Sequence, residues 1–129
     1  MSLLSGDDAA TANWSGDWVM PSQSQLEELI NSEYTTMERT TQNGVQGFRI
    51  TSKSNGNSLF LPAAGYMDDV LGEYATDVGT GLSYWSRTLY QGTSSGAYSL
   101  FYRGSGIPSV THWFRSTGRT VRPVRIIIN

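Results

Sequence analysis

Apolar residues first recur with the spacing of a helix. Three of them occupy positions i, i+3 and i+4 of one predicted helix face: Leu26, Leu29 and Ile30. Ser22 is a favourable N-cap, and Gln25 stands three residues later, as in a capping box. The pattern therefore predicts one main amphipathic helix that begins after Ser22 and ends near residues 31–33.

Farther along the chain, apolar and polar residues alternate with the period of a strand. Residues 48–51 alternate, the turn-forming string at 54–57 follows, and residues 58–61 resume a strand that ends at Pro62. This pattern predicts a hairpin. Residues 63–81 are rich in glycine and are predicted to form a loop. Four further strand candidates are separated by turns rich in Gly and Ser: residues 82–88, 97–103, 110–115 and 120–127.

The chain has 129 residues, which is the length of one domain. Residues 1–13 are small and polar without periodicity, so we expect a flexible lead-in or a remnant of cloning, followed by a single domain over residues 14–129. No apolar run approaches the ~20 residues that a membrane span needs. We therefore expect no membrane insertion by this chain.

Charge divides the chain into two unequal halves. Residues 1–77 carry all eleven acids and three bases, whereas residues 78–129 carry six arginines and no acid. A basic half can indicate nucleic-acid binding, but these arginines are scattered singly. The distribution instead favours arginines that pair with carboxylates of the acidic half, and no nucleic-acid partner is predicted.

One string has the form of a hydrolase motif. Residues 92–96 match G-x-S-x-G, which in hydrolases follows a strand and precedes a helix. Here a strand is predicted next, and every acid precedes Ser94 in the chain. His112 is the single histidine, and the chain has no cysteine, so zinc ligands are also scarce. We therefore predict a protein that is not an enzyme and has no cofactor.

Acidic residues cluster at one further place. Four carboxylates lie within residues 68–77, and carboxylate oxygens close together can hold calcium. The spacing is not that of an EF-hand, so a solvated loop or partners for the arginines are the favoured interpretations. Calcium binding by this loop stays an open alternative.

Several strings along residues 14–124 resemble known families. The string W-V-M-P-S at 18–22, which leads into Q-L-E-E-L at 25–29, resembles a segment of C-type-lectin-like proteins, including the formylglycine-generating-enzyme group. Four more strings resemble the Fibrobacter succinogenes major paralogous domain family: residues 41–48, 56–66, 84–86 and 115–124. The resemblance implies an α+β, C-type-lectin-like fold, with one main amphipathic helix packed on short, mainly antiparallel strands with long loops.

The resemblance also implies a class of function. Members of the family are typically parts of exported or surface proteins, so we expect a bacterial recognition module that is exported, at the cell surface or periplasmic. Its ligand would be a protein or a glycan. The alternative is a structural or assembly module of a surface protein with no ligand of its own. Formylglycine-generating enzymes depend on cysteine, so their activity does not carry over to this chain.

The second half mixes aromatic residues with Gly and Ser, which is typical of binding surfaces. Five residues are predicted ligand contacts, and at least three of them are expected to be exposed on one contiguous face: Tyr90, Phe101, Arg103, His112 and Phe114. Because side chains alternate between the two faces of a strand, their direction follows from that of their neighbours in two cases. If Leu100 and Tyr102 face the core, Phe101 and Arg103 face outward. If Arg115 faces inward, His112 and Phe114 face outward.

Other aromatic and basic residues are predicted to be structural. Three tryptophans are expected in the core: Trp14, Trp18 and Trp85. Three arginines lie in the family-like string at residues 115–124, and at least one of them is expected to pair with a buried or half-buried carboxylate: Arg115, Arg119 and Arg122.

Overall fold

Short strands make up most of the structure, a computed structural model that describes residues 2–4, 6–14, 17–67, 75–92, 95–103, 107–115 and 117–125. Two helices lie in these ranges: α1 (Ala9–Trp14) and α2 (Gln23–Leu29). The strands are β1 (Trp18–Val19), β2 (Thr35–Gln42), β3 (Val45–Ser52), β4 (Ser58–Pro62), β5 (Tyr66–Met67), β6 (Ala75–Thr76), β7 (Leu82–Leu89), β8 (Gly96–Tyr102), β9 (Ser109–Phe114) and β10 (Val124–Arg125).

The strands form four small antiparallel sheets. Two have three strands, in the orders β2-β3-β4 and β7-β8-β9, and two are the pairs β1-β10 and β5-β6. Few helices and mainly antiparallel strands confirm the α+β class. Neither helix in the described ranges is long and apolar enough to cross a membrane.

Helix α2 is the helix that the apolar spacing predicts. The Ser22 hydroxyl accepts a hydrogen bond from the Gln25 amide at 3.2 Å, and the Gln25 side chain accepts one from the Ser22 amide at 2.9 Å. This reciprocal capping box satisfies donors that the first turn leaves free. Leu26 is buried, and Leu29 and Ile30 pack against the core. The helix ends at Leu29, slightly before the predicted end near residues 31–33.

The predicted hairpin is the β3-β4 pair. Its register places Phe48 opposite Leu61 and Ile50 opposite Leu59. The sequence did not predict β2, which lies on the other side of β3 and alternates between exposed and half-buried residues. The tight turn at Asn43 and Gly44, with φ of 51° and 80°, is the local signal that could have revealed it.

The core lies between α2 and the two larger sheets. Its buried residues come from α2, from β3 to the end of β4, and from β7 and β8: Leu26, Phe48, Ile50, Leu61, Ala63, Leu82, Tyr84 and Leu100. Phe48 meets Tyr102 edge to face at 4.9 Å between ring centroids, which joins the two three-stranded sheets.

The prediction of a flexible lead-in over residues 1–13 is wrong for the described residues of that segment. Ser2 forms an isolated bridge with Thr88, and the Leu3 amide donates to the Arg87 carbonyl at 2.8 Å. The Asp8 side chain is 2% exposed and accepts hydrogen bonds from the Ala10 and Thr11 amides at the start of α1. It also accepts from the Met20 amide at 3.1 Å, which ties this segment to the domain.

The later strand predictions are confirmed for three of four candidates. Strands β7, β8 and β9 lie at 82–89, 96–102 and 109–114. In the fourth candidate, 120–127, only Val124–Arg125 forms a described strand, and residues 126 and 127 lie outside the description. The predicted loop at 63–81 contains the two-residue strands β5 and β6, while residues 68–74 lie outside the described part.

Candidate functional site

The β7-β8-β9 sheet positions the predicted ligand residues, and alternation sorts its side chains onto two faces. One face packs on the core through Leu82, Tyr84, Leu100, Tyr102 and Val110. The register places Phe101 beside Ser83 and Ser109, on the opposite face. The expectation that Phe101 points away from Leu100 and Tyr102 is therefore confirmed. Phe101 is nevertheless half-buried, because its ring contacts Tyr66 and Trp113.

The predicted ligand residues do not share one face, and only two of the four whose side chains are described are exposed, where at least three of the five were expected. His112 pairs with Tyr98 across β8 and β9 and lies on the Leu100 side, whereas Phe101 is on the other side. His112 and Arg103 are exposed, and Tyr90 and Phe101 are only half-buried. The side chain of Phe114 lies outside the described part of the chain. Arg115, which was assumed to face inward, is exposed.

Tyr90, Tyr98 and His112 form a cluster that we call the ring platform. The Tyr90 and His112 rings are parallel within 3° and stack with centroids 3.7 Å apart. Tyr98 meets both rings edge to face, at 5.9 Å from Tyr90 and 6.3 Å from His112. The platform joins two of the five predicted residues, and it adds Tyr98, which the sequence reasoning did not single out as a ligand contact.

The chain after β7 holds Tyr90 in this stack. An irregular register between Trp85 and Leu89 ends the regular pairing of β7, and the Tyr90 amide then donates to the Gly96 carbonyl at 3.0 Å. A β-bulge re-aims the side chains that follow it. Gly92 passes so close that an added Cβ would overlap the Tyr90 ring. The turn therefore requires glycine at this position while the ring stays in place.

On the opposite face, Arg119 lies among aromatic rings. Its guanidinium carbon is 4.7–5.9 Å from the centroids of four rings: Tyr66, Trp85, Phe101 and Trp113. Its side chain also donates to the Thr117 hydroxyl at 3.1 Å and to the Ser83 hydroxyl. Cation–π contacts of this kind strengthen when the cation is shielded from water. Of the three arginines predicted to be structural, Arg119 is therefore the one that packs within the fold.

The other two of these arginines, Arg115 and Arg122, make fewer of the described contacts within the fold. Arg115 is exposed, and Arg122 donates to the Phe60 carbonyl at 3.2 Å. The carboxylate partner expected for one of the three arginines stays a prediction.

Arg103 already has partners within the chain. Its guanidinium lies 3.2 Å from the Asp77 carboxylate, 3.4 Å from the Tyr66 hydroxyl and over the Phe101 ring. The hydrogen bond that Arg103 donates to the Tyr66 hydroxyl, followed by the charge of Asp77, raises the pKa of Arg103. This ion pair joins the acidic and basic halves of the chain, as the charge distribution predicted. A ligand at Arg103 would have to compete with Asp77.

Two of the three predicted core tryptophans are on the surface. Trp14 is 54% exposed and Trp18 is 37% exposed, because they lie on the short elements α1 and β1 at the edge of the fold. Trp85 is half-buried against Arg119. The sequence reasoning missed Trp113, whose ring lies nearest to Arg119.

The G-x-S-x-G string lies in the turn between β7 and β8. Strand β8 begins at Gly96, so a strand and not a helix follows the string. Its residues Thr93 and Ser94 lie outside the description. Among the residues that the structure describes, no group of three or more His, Cys, Asp or Glu could hold a metal ion. Of the predicted acidic loop, only Asp77 has a described side chain, and it pairs with Arg103.

Comparison with known proteins finds no matching family model, curated protein or solved structure. The resemblance to the C-type-lectin-like and Fibrobacter succinogenes paralogous families therefore stays a prediction that depends on the sequence strings.

Proposed function

We propose that this chain is a non-catalytic recognition module of an exported or surface bacterial protein, and that it binds a glycan or protein ligand through the ring platform. The supporting observation is the parallel stack of Tyr90 on His112, with His112 exposed. Aromatic rings provide rigid contact area together with polar edges. A platform held before binding also loses less conformational freedom when the ligand arrives.

Packing alone does not account for this stack. Tyr90 and His112 are not part of the buried core cluster, which is built around α2 and the other end of the sheet. The turn also depends on glycine at position 92 to leave room for the Tyr90 ring. Binding residues are commonly carried on loops and turns that a rigid sheet positions, as this turn is.

The fold that we propose is the C-type-lectin-like fold. Two features support it: α2 lies against the core of the sheets, and β1 pairs with β10, which joins the two ends of the described domain. Export and surface location are proposed from the resemblance alone. A crystal structure that lacks the β1-β10 pair would remove the structural support.

The alternative function is a structural or assembly module without a ligand. The separation of the five predicted residues favours it, because Arg103 and Phe101 are engaged by Asp77, Tyr66 and Trp113. The two functions predict different effects of removing the platform: a recognition module loses ligand binding, whereas a structural module has no ligand binding to lose.

The test is a glycan array probed with the labelled domain. The double variant Tyr90→Ala/His112→Ala is expected to lose roughly tenfold or more of the binding signal, since stacking contributes about 1–3 kcal/mol per ring where it has been measured for nucleic-acid bases. Gly92→Ala should weaken binding as well, because it displaces the Tyr90 ring without removing a contacting side chain. Tyr34→Ala is the matched control, as Tyr34 is a 53% exposed tyrosine away from the platform.

Equal loss in the Tyr34→Ala control would show that the platform is not the contact. If the unmodified domain binds no glycan, the same variants are tested by cross-linking to the surface proteins of the source cell. A platform that affects neither assay would favour the assembly alternative.

A further inference from the structure

Two spaces lie side by side along α2, away from the ring platform. We call the larger one, with a volume of about 600 Å³, the outer cleft, and the smaller one, of about 210 Å³, the inner cavity. Three residues line both spaces: Gln25, Leu29 and Val124. Gln25 and Leu29 are four residues apart, so they are neighbours on one side of the helix. The two spaces are therefore adjacent along that side of α2.

The inner cavity is mainly apolar. Its described lining consists of five leucines, two prolines and Val124, together with Gln25, Tyr84 and Arg122. The Tyr84 hydroxyl is already engaged, since it donates to the Pro62 carbonyl at 2.8 Å. An apolar cavity of ~150 Å³ is large enough to bind benzene, so this one has room for an aliphatic chain of about six carbons. Such a chain supplies the leucines with contacts that an empty cavity does not.

The outer cleft carries more negative than positive charge. Glu28 and Glu33 line it and are exposed, and no described cation lies within ion-pair distance of either carboxylate. Lys53 also lines the cleft, but its ammonium donates to the Ser32 carbonyl at 2.6 Å. Tyr34 is a further lining residue, and the face of an aromatic ring attracts a cation. The outer cleft is therefore complementary to a cationic group.

We propose that the two spaces form a binding site for a ligand with a short aliphatic chain and a cationic head group, such as a primary alkyl amine. The chain occupies the inner cavity, and the ammonium lies in the outer cleft with Glu28 and Glu33. Glu28 immediately precedes Leu29, which lines both spaces, so the head group meets a carboxylate where the spaces adjoin. The site shares no residue with the ring platform and does not depend on its function.

An anionic head group is disfavoured by the same charges. Arg122 is the cation that lines the inner cavity, and its guanidinium is exposed and donates to the Phe60 carbonyl at 3.2 Å. An anion at Arg122 would compete with that hydrogen bond and would leave the carboxylates of the outer cleft without a partner. The sign of the head group is therefore the sharpest test of the site.

The first test compares three probes with the same chain: hexylamine, hexanol and hexanoate. In NMR titrations at neutral pH, hexylamine is expected to bind most tightly and hexanoate at least about fivefold more weakly, since an exposed charge pair changes affinity by up to roughly that factor. Butylamine should bind roughly tenfold more weakly than hexylamine, because it buries two fewer methylene groups.

The second test removes the charges of the outer cleft. Glu28→Gln/Glu33→Gln is expected to reduce the affinity for hexylamine to that for hexanol and to leave hexanol binding unchanged. Glu27→Gln is the matched control, because Glu27 is an exposed acid of the same helix that is not among the described lining residues. Tyr90→Ala/His112→Ala, without the ring platform, should bind hexylamine as the unmodified chain does.

The third test narrows the inner cavity. Leu29→Phe is expected to remove the advantage of hexylamine over butylamine, a comparison within one variant that a change in its stability does not produce. If Leu29→Phe fails to fold, the advantage of hexylamine over butylamine in the unmodified chain tests the inner cavity by itself.

Several results would overturn the proposal. Equal affinities for hexylamine and hexanoate would remove the charge preference, and equal affinities for hexylamine and butylamine would remove the inner cavity from the site. An equal loss in Glu27→Gln and in Glu28→Gln/Glu33→Gln would show a general charge effect. Loss of hexylamine binding in Tyr90→Ala/His112→Ala would assign the amine to the ring platform instead.

Discussion

At the scale of single residues, the least expected group is the buried carboxylate of Asp8. An ionised group that leaves water is stable only when its hydrogen-bonding capacity is met. Among the residues that the structure describes, Asp8 meets that condition with backbone amides, from α1 on one side and Met20 on the other. The carboxylate thereby fixes α1 against the start of the domain.

We expect Asp8→Ala to lower the free energy of unfolding by about 2–4 kcal/mol, because it removes a helix cap and leaves the Met20 amide buried without its acceptor. Asp8→Asn retains one acceptor oxygen and should cost less. The control is Asp7→Ala at the exposed neighbouring position, expected within about 0.5 kcal/mol of the unmodified chain. Urea unfolding measures all three, and an equal loss for Asp7→Ala would contradict the role of Asp8.

At the scale of elements, helix α2 shows how local chemistry sets a boundary. Its first turn contains a complete capping box, and its buried side rests on the core through Leu26. The helix has seven residues, which is too short to be stable in isolation. Its cap and its packing must therefore act together.

Ser22→Ala is expected to destabilise the domain by about 0.5–2 kcal/mol, because the Gln25 amide loses its acceptor. Ser22→Asn, which keeps a side-chain acceptor at the cap position, serves as the control and should have little effect, since asparagine is also a favourable N-cap. Thermal unfolding followed by circular dichroism compares the two variants. A loss in Ser22→Asn as large as that in Ser22→Ala would show that the cap is not the cause.

At the scale of the whole molecule, Tyr84 links the helix, the sheets and the core. Its ring is 3% exposed, and its hydroxyl donates to the Pro62 carbonyl at the end of β4. Burial raises the pKa of Tyr84 from 10.0 to about 12, against a smaller opposing influence of the Arg122 charge. The folded domain therefore keeps this proton in a pH range where the unfolded chain releases it.

The sign of the pH dependence follows from that difference. Between pH 10 and about 12 the unfolded chain binds fewer protons at Tyr84, so the free energy of unfolding falls as pH rises. The contribution of Tyr84 is fully present below pH 10 and decreases by roughly 1.4 kcal/mol per pH unit above it. Tyr84→Phe removes the ionisable group and should flatten this part of the urea-unfolding profile. An unchanged slope in Tyr84→Phe would contradict the assignment.

Much of the secondary structure was determined by the sequence itself, because it depends on neighbours along the chain. The capping box at Ser22, the β3-β4 hairpin and the alternation in β8 involve residues close in sequence. Strand β2 was missed because its exposed, polar side gives a weak periodic signal. The Asn43–Gly44 turn is the local signal in the sequence for the pairing of β2 with β3.

The candidate site was decided by tertiary structure. Alternation predicts that Phe101 and His112 point to different sides of the sheet once β8 and β9 are paired, but the pairing itself is not written in either strand. The Phe101 ring contacts Tyr66 and lies near the Arg119 guanidinium, and both residues are distant from it in sequence. Arg119 also donates to the Ser83 hydroxyl, 36 positions away. The Asp8 carboxylate accepts a hydrogen bond from the Met20 amide, 12 positions away, in the same nonlocal way. Burial and charge pairing depend on which distant segments meet, and a local pattern does not contain that information.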